Sequence, residues 1–192
     1  MPLWKTFHRD LILAGLIPFL VFTKTSLGEP KIGVQTRYYP VHGTQLQELY
    51  DSMQRNGPGG RFLAQTEWNI MWNYRWLESA GQCRLNGTSV EVEISMLMPQ
   101  AQQARQFTPE LKQSWDRFYD ALLRHEHHHR DYGIMAAREL EQSLSRQPAR
   151  PCSGFDNDLS RLARDIIERY ERLEKEYDRL TDHGINEGVV LQ

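Results

Sequence analysis

The residues best suited to chemistry form the string His125-Glu126-His127-His128-His129, an HExxH motif. In an α-helix, residues four positions apart lie about 40° apart around the axis and about 6 Å apart along it. His125 and His129 would therefore point the same way and share one metal ion, with Glu126 beside it. Two imidazoles and a neighbouring carboxylate are the groups with which zinc enzymes activate water and take up its proton. The spacing predicts zinc ligands at His125 and His129 and a general base at Glu126.

The chain around the motif predicts a long helix over residues 109–146. Thr108 is the expected N-cap and Pro109 the first helical residue. An apolar stripe at helical spacing passes through both motif histidines, which predicts that they point toward the body of the protein. The other members of the stripe are Trp115, Phe118, Tyr119, Leu122, Gly133, Ala136 and Leu140.

The two remaining histidines of the motif have weaker claims to a metal. Helical geometry predicts that His127 faces solvent, and that His128 lies at the border of the inner face as a bystander or supporting group. A stretch so dense in histidine can also bind metal without any catalysis. That second interpretation stays open at this point.

A catalytic zinc site needs a third protein ligand and an open position. The residue six positions after His129 is Met135, so the third ligand must come from elsewhere. The last predicted helix and its end offer several donors, and we favour His183, beside Gly184, over any one glutamate. The competing interpretation is that His183 only caps the helix C-terminus. The candidate glutamates are Glu168, Glu171, Glu174 and Glu176.

Hydrolysis of an amide also needs a group that stabilises the developing oxyanion. Tyr177 lies about two helical turns before His183 and is our candidate for that role. The alternative is an ordinary buried tyrosine of the core.

The N-terminus predicts export. Lys5 and Arg9 give a positive start, residues 11–22 are apolar, and Ser26 and Gly28 are small residues at the two positions that signal peptidase reads. We predict a signal peptide over residues 1–28, cleaved after Gly28, and a secreted or periplasmic domain over 29–192 without stable membrane insertion. An uncleaved anchor at 11–22 is the alternative, although a membrane span needs about 20 residues.

Composition limits the other classes of function. The 192 residues suit one domain, and a net charge of −2 without a basic block gives no support to nucleic-acid binding. The chain has two cysteines, Cys83 and Cys152. In an exported protein this count predicts one disulfide, with two buried thiols as the alternative.

Hydrophobic patterning predicts an α+β fold. A short strand is expected over 35–41, followed by a helix that Thr44 caps and that buries Leu46, Leu49, Tyr50 and Met53. Two alternating stretches, 68–76 and 90–98, predict antiparallel strands with one buried face, joined by a connection over 78–89. A final helix over 156–180 is expected to bury a long apolar face. We therefore predict a small antiparallel sheet packed on two long helices, with zinc between them.

The final helix would bury seven residues at helical spacing. They are Leu159, Leu162, Ile166, Tyr170, Leu173, Tyr177 and Leu180.

Taken together, these pieces resemble a bacterial family described as predicted secreted zinc-dependent proteases, a domain of unknown function placed among the zincin-like peptidases. The resemblance covers nearly the whole mature chain. It implies a signal peptide, paired cysteines and a zincin-type site with His125 and His129 as ligands and Glu126 as base. The matching pieces are Tyr38 to Gly43, the strand from Trp68 to Tyr74, Cys83, Pro99, Trp115 to His129, Cys152, Tyr177-Asp178, Thr181 and His183-Gly184.

The leading hypothesis is a secreted or periplasmic zinc metallopeptidase that hydrolyses an amide bond of a peptide or protein substrate. One rival is a non-catalytic periplasmic protein that binds zinc or copper through its histidines. The other is a partner-binding module built on the two long helices.

Overall fold

The computed structural model describes residues 28–59 and 62–192, which form an α+β fold. The strands are β1 (Lys31–Val41), β2 (Gln65–Ser79), β3 (Gln82–Ala101) and the two-residue β4 (Arg150–Pro151). The α-helices are α1 (Leu46–Asn56), α2 (Pro109–Ser145) and α3 (Phe155–Thr181), and short 3-10 turns cover Ala104–Gln106 and Ile185–Glu187. Residues 1–27 of the predicted signal peptide, which include the alternative anchor at 11–22, lie outside the described residues.

The sheet is mixed, so the prediction of a purely antiparallel sheet is wrong. Its strand order is β1-β3-β2, with β3 antiparallel to β2 but parallel to β1. Val41 at the end of β1 pairs with Ala101, and Gln65 at the start of β2 pairs with Leu97. Thus β1 ends and β2 begins at the same end of the sheet, and β3 lies between them. Alternation along a strand indicates its buried face but not its neighbour.

β2 and β3 form a longer hairpin than the pattern predicts. The connection expected over 78–89 is nearly all strand, because a two-residue turn at Ala80-Gly81 closes the hairpin. Both residues have positive φ, 50° and 73°, as a type I′ turn requires. The predicted inner face of β3 is confirmed, and its buried members are Val90, Val92, Ile94, Met96 and Met98.

α2 begins where the sequence predicts. The Oγ1 atom of Thr108 accepts a hydrogen bond from the backbone N–H of Leu111 at 3.2 Å, and Pro109 opens the helix. The inner face of α2 packs on β2 and β3 on one side and on α3 on the other. His125 and His129 lie on this buried face, 4% and 6% exposed, as the apolar stripe predicts.

The other helices bury less than predicted. In α1, Leu49 and Met53 are buried but Leu46 and Tyr50 lie on the flank and are exposed. In the second half of α3, Leu173 and Leu180 are exposed. There the inner face carries Glu174 and Asp178 instead, and a helical residue one position away points about 100° aside.

The predicted disulfide is present. It joins Cys83, at the start of β3, to Cys152, just before α3. It therefore ties the beginning of α3 to the sheet. Over 28–59 and 62–192, no helix combines the length and the apolar character that crossing a membrane requires.

Gly133 lets α2 approach the sheet closely. A Cβ atom at this position would lie 2.7 Å from Cγ and 2.8 Å from Cβ of Trp68 on β2. These atoms lie close to the backbone, so they cannot move aside without moving the strand. Gly133 lies one helical turn after His129, so this contact sets how near the motif lies to β2.

We predict that Gly133→Ala destabilises the protein. Overpacking against Trp68 should cost more than the roughly 1 kcal/mol that alanine adds to helix stability, leaving a net loss of about 1–2 kcal/mol in the free energy of unfolding. Urea denaturation measures it. The control is Met135→Ala on the exposed side of the same helix. Equal or greater stability of Gly133→Ala would contradict the close packing.

Candidate metal centre

α2 and α3 bring three potential metal ligands to one point. His125 and His129 extend from α2, and their Nε2 atoms lie 3.2 Å apart. Asp178 extends from α3, and its Oδ1 atom lies 3.2 Å from Nε2 of His125 and 3.0 Å from Nε2 of His129. Among the described residues, one other group has its potential ligand atoms within 4.8 Å of one another, and it contains Cys83 and Cys152, whose sulfurs are bonded to each other.

The donor geometry suits zinc. Donors about 2.0–2.1 Å from a tetrahedral zinc ion are about 3.3 Å from one another. The three donor separations, 3.0 to 3.2 Å, are close to that value. Two imidazole nitrogens and one carboxylate oxygen are also ligand types that zinc accepts.

Two carboxylates fix which imidazole nitrogen faces this point. Nδ1 of His125 lies 2.9 Å from Glu187 Oε2, and Nδ1 of His129 lies 3.0 Å from Glu174 Oε1. An imidazole whose Nδ1–H donates to a carboxylate keeps its lone pair on Nε2. In that tautomer two lone pairs and the Asp178 oxygen converge on one point, an arrangement that a bound metal cation stabilises. In known zinc sites, carboxylates in this outer position orient the histidine ligands.

Without a metal ion, protons on the imidazoles supply the positive charge at this point. Burial alone would lower the pKa of His129, but its hydrogen bonds to Asp178 and Glu174 raise it to about 10. Burial would raise the pKa of Asp178, but the hydrogen bonds from His125 and His129 hold it well below its usual range. Asp178 is therefore ionised and available to a cation.

The structure places Asp178, which sequence reasoning missed, in the position expected for the third ligand. His183 lies further back: its Nδ1 is 3.6 Å from Oδ2 of Asp178, and its ring packs edge-on against Phe62 with centroids 5.0 Å apart. Of the candidate glutamates, Glu174 contacts His129 on the side away from the cluster, with its Oε1 atom 3.0 Å from Nδ1 of the ring. His183 as a zinc ligand stays a prediction.

The remaining candidate glutamates lie away from the cluster's donor atoms. Glu168 and Glu176 pair with Arg172 and Arg179, and Glu171 is exposed.

The sequence did contain a signal for Asp178. Glu174 and Asp178 are four positions apart on α3, the same spacing as His125 and His129 on α2. Two helices that face each other with this spacing can match donors turn by turn. Glu187 has no comparable signal, because it lies in a 3-10 turn beyond the last helix.

Glu126 lies in the same cleft as the three donors. It is 4% exposed, and Thr66 at the start of β2 donates a hydrogen bond to its Oε2 at 2.6 Å. Burial raises the pKa of the Glu126 carboxyl, although Thr66 and the nearby histidines act to lower it. A raised pKa suits a carboxylate that must accept a proton and release it again.

Tyr177 contacts both His125 and Glu187, the carboxylate that orients His125. Its ring stacks on that of His125 with centroids 5.0 Å apart, and its hydroxyl donates to Glu187, with oxygen separations of 2.8 and 2.9 Å. The hydroxyl is thus engaged in orienting the carboxylate that orients His125. Its role as oxyanion stabiliser stays a prediction. His127 is half-buried and His128 exposed, and neither contributes a donor to the cluster.

Replacing Asp178 should separate the two candidates for third ligand. We predict that Asp178→Asn lowers zinc occupancy well below one ion per chain after dialysis, because a neutral amide replaces the charged donor. His183→Ala should keep one ion per chain. Plasma mass spectrometry of the purified variants measures both. Loss of zinc in His183→Ala with retention in Asp178→Asn would reverse the assignment.

The outer carboxylates should control affinity rather than stoichiometry. We predict that Glu187→Ala and Glu174→Ala each weaken zinc binding by about 10–100-fold, because the imidazoles lose the acceptor that orients them. Competition with a chromophoric chelator gives the dissociation constants. Glu176→Ala, an exposed position on the same helix, is the control. Unchanged affinity in both variants would show that these contacts do not orient the ligands.

Comparison with known proteins identifies a family but no activity. No curated protein and no solved structure gives a significant match to the chain. A family model described as "Bacterial protein of unknown function (DUF922)" matches residues 36–184. That segment includes His125, Glu126, His129 and Asp178, and ends before Glu187. Because the match covers most of the sequence, the chain belongs to this family of bacterial proteins.

Proposed function

We propose that the protein is a zinc-dependent peptidase, exported to the periplasm or beyond, with His125, His129 and Asp178 as metal ligands. The convergence of their three donor atoms within 3.2 Å carries the proposal. The Cys83–Cys152 disulfide supports an oxidising compartment. The predicted signal peptide would deliver the chain there. Membership of the zincin-like peptidases is part of the proposal.

The donor set favours zinc over calcium and magnesium. Calcium and magnesium prefer oxygen ligands, whereas two imidazole nitrogens and one carboxylate are typical of zinc. Three protein ligands leave one coordination position open, which distinguishes a catalytic site from a structural one. When bound, zinc would supply an activated water with a pKa of about 7 and polarise the scissile carbonyl.

Glu126 performs the proton transfers in this mechanism. It accepts a proton from the attacking water and then passes that proton to the leaving amine. Thr66 holds Oε2, so β2 fixes the orientation of the carboxylate relative to the two histidines. Burial, which raises the pKa of Glu126, makes this carboxylate a stronger base than an exposed glutamate, so it accepts the proton of the attacking water more readily.

The cleft is large enough for a peptide segment. It has a volume of about 820 Å³ and is lined by Glu126 and all three proposed ligands. Binding sites for small ligands generally span about 300–1,000 Å³. This volume suits a short peptide segment beside the three donors.

We predict that Glu126→Gln retains one zinc per chain and loses hydrolysis. Glutamine keeps the shape of the side chain but cannot take up a proton, so cleavage should fall by about 10²–10⁴-fold. A pool of quenched fluorogenic peptides measures cleavage, and plasma mass spectrometry measures zinc. Glu67→Gln, at an exposed position beside Thr66, is the control.

The same experiment separates the rival functions. Cleavage by Glu126→Gln at the parent's rate would contradict the role of this residue. One bound zinc with no cleavage by any form would favour a non-catalytic metal protein. No stoichiometric metal in the parent would favour the partner-binding module.

A further inference from the structure

Four large apolar side chains that line the cleft are exposed to solvent, and we call them the apolar rim. They come from three separate segments: α1, the loop after it, and the C-terminal segment beyond α3. The members are Tyr50, Phe62, Ile185 and Val190, which are 47%, 45%, 51% and 40% exposed. Leu63, Leu122 and Val189 continue the apolar surface into the cleft.

The grouping of these exposed apolar side chains at one cleft indicates a binding site. Single exposed apolar residues are common on protein surfaces, but apolar patches that converge on a cleft mark binding sites. Each rim residue leaves about half of its surface in water, although its segment packs on the rest of the fold. An apolar group bound among them would be shielded from water on several sides.

The charged groups of the cleft restrict what can bind. Among the described lining residues, the acidic side chains are Glu126, Glu174, Asp178 and Asp182, and the single lysine is Lys175. Four carboxylates against one lysine and the two charges of a bound zinc ion still leave a net negative charge, which would repel a negatively charged segment. Polar groups of a substrate would also lose water at the rim without gaining hydrogen-bond partners from its apolar side chains.

We infer that the apolar rim binds a large apolar side chain, such as Phe or Leu, of a peptide substrate next to the bond that is cleaved. The inference rests on the proposed function, because Glu126 and the metal donors lie in the same cleft. It distinguishes between substrate classes: apolar protein segments fit the rim, whereas short peptides built from small and acidic residues, such as peptidoglycan stems, do not.

Binding to the inactive variant tests the inference without requiring catalysis. The probes are fluorescein-labelled decapeptides in one Gly-Ser host whose central pair is Phe-Leu, Ser-Ser or Asp-Asp. Fluorescence anisotropy measures their binding to zinc-loaded Glu126→Gln protein. We expect Phe-Leu to bind about tenfold or more tighter than Ser-Ser, and Asp-Asp to bind weakest.

Rim variants in the Glu126→Gln background locate the preference. Phe62→Ala and Tyr50→Ala should each reduce the Phe-Leu over Ser-Ser ratio about three- to tenfold. Leu46→Ala is the matched control, because Leu46 is an exposed apolar residue of the same helix as Tyr50 but does not line the cleft. Circular dichroism confirms that each variant is folded, and Tyr50→Ala decides the question if Phe62→Ala is not.

Equal binding of Phe-Leu and Ser-Ser would overturn the inference, as would a preference that persists in both rim variants. If the parent hydrolyses peptides without preferring Phe-Leu over Ser-Ser, the proposed peptidase function is retained and the role of the rim is rejected. If the preference depends on the rim but the parent hydrolyses no peptide, the rim is retained as a peptide-binding surface and the proposed peptidase function is rejected.

Discussion

The approach of two imidazole nitrogens and one carboxylate oxygen is the interaction on which the rest of the site depends. Three electron-rich atoms held within 3.2 Å of one another are favourable only around a positive charge. Glu187 and Glu174 direct the other imidazole nitrogens outward, and Tyr177 in turn holds Glu187. The helices α2 and α3 are thus joined at this point through polar contacts.

Each part of the candidate site is positioned by a different element of the fold. α2 supplies the two histidines and Glu126, α3 supplies Asp178, and β2 supplies Thr66, which orients Glu126. The contact of Gly133 with Trp68 sets the distance from α2 to the sheet. The disulfide sets the start of α3, since Cys152 precedes that helix by three residues and is bonded to β3. A change in any of these supports would displace a donor from the others.

The sequence predicts what depends on neighbouring residues. The Thr108 cap, the course of α2 and the inward direction of His125 and His129 follow from helical spacing, and the buried face of β3 follows from alternation. It does not predict what depends on distant contacts. The parallel pairing of β1, the position of Asp178 and the contact of Glu187 with His125, 62 residues away, depend on how the elements pack. Leu173 and Leu180 were expected to be buried because the pattern records hydrophobicity, whereas α3 uses that part of its inner face for carboxylates.

The arrangement of the donors also bears on whether the metal is a resident cofactor or a cargo. A protein that passes metal to partners benefits from exposed, exchangeable ligands, whereas His125 and His129 are buried and each is held by a second carboxylate. Such outer contacts raise ligand basicity and reduce the freedom of the imidazoles, and both effects slow the release of metal. The exposed histidine of the motif, His128, lies outside the cluster and packs against Tyr177 rather than extending the site. A metal ion held by these donors beside Glu126 would therefore exchange slowly, as the proposed hydrolase requires and a metal carrier does not.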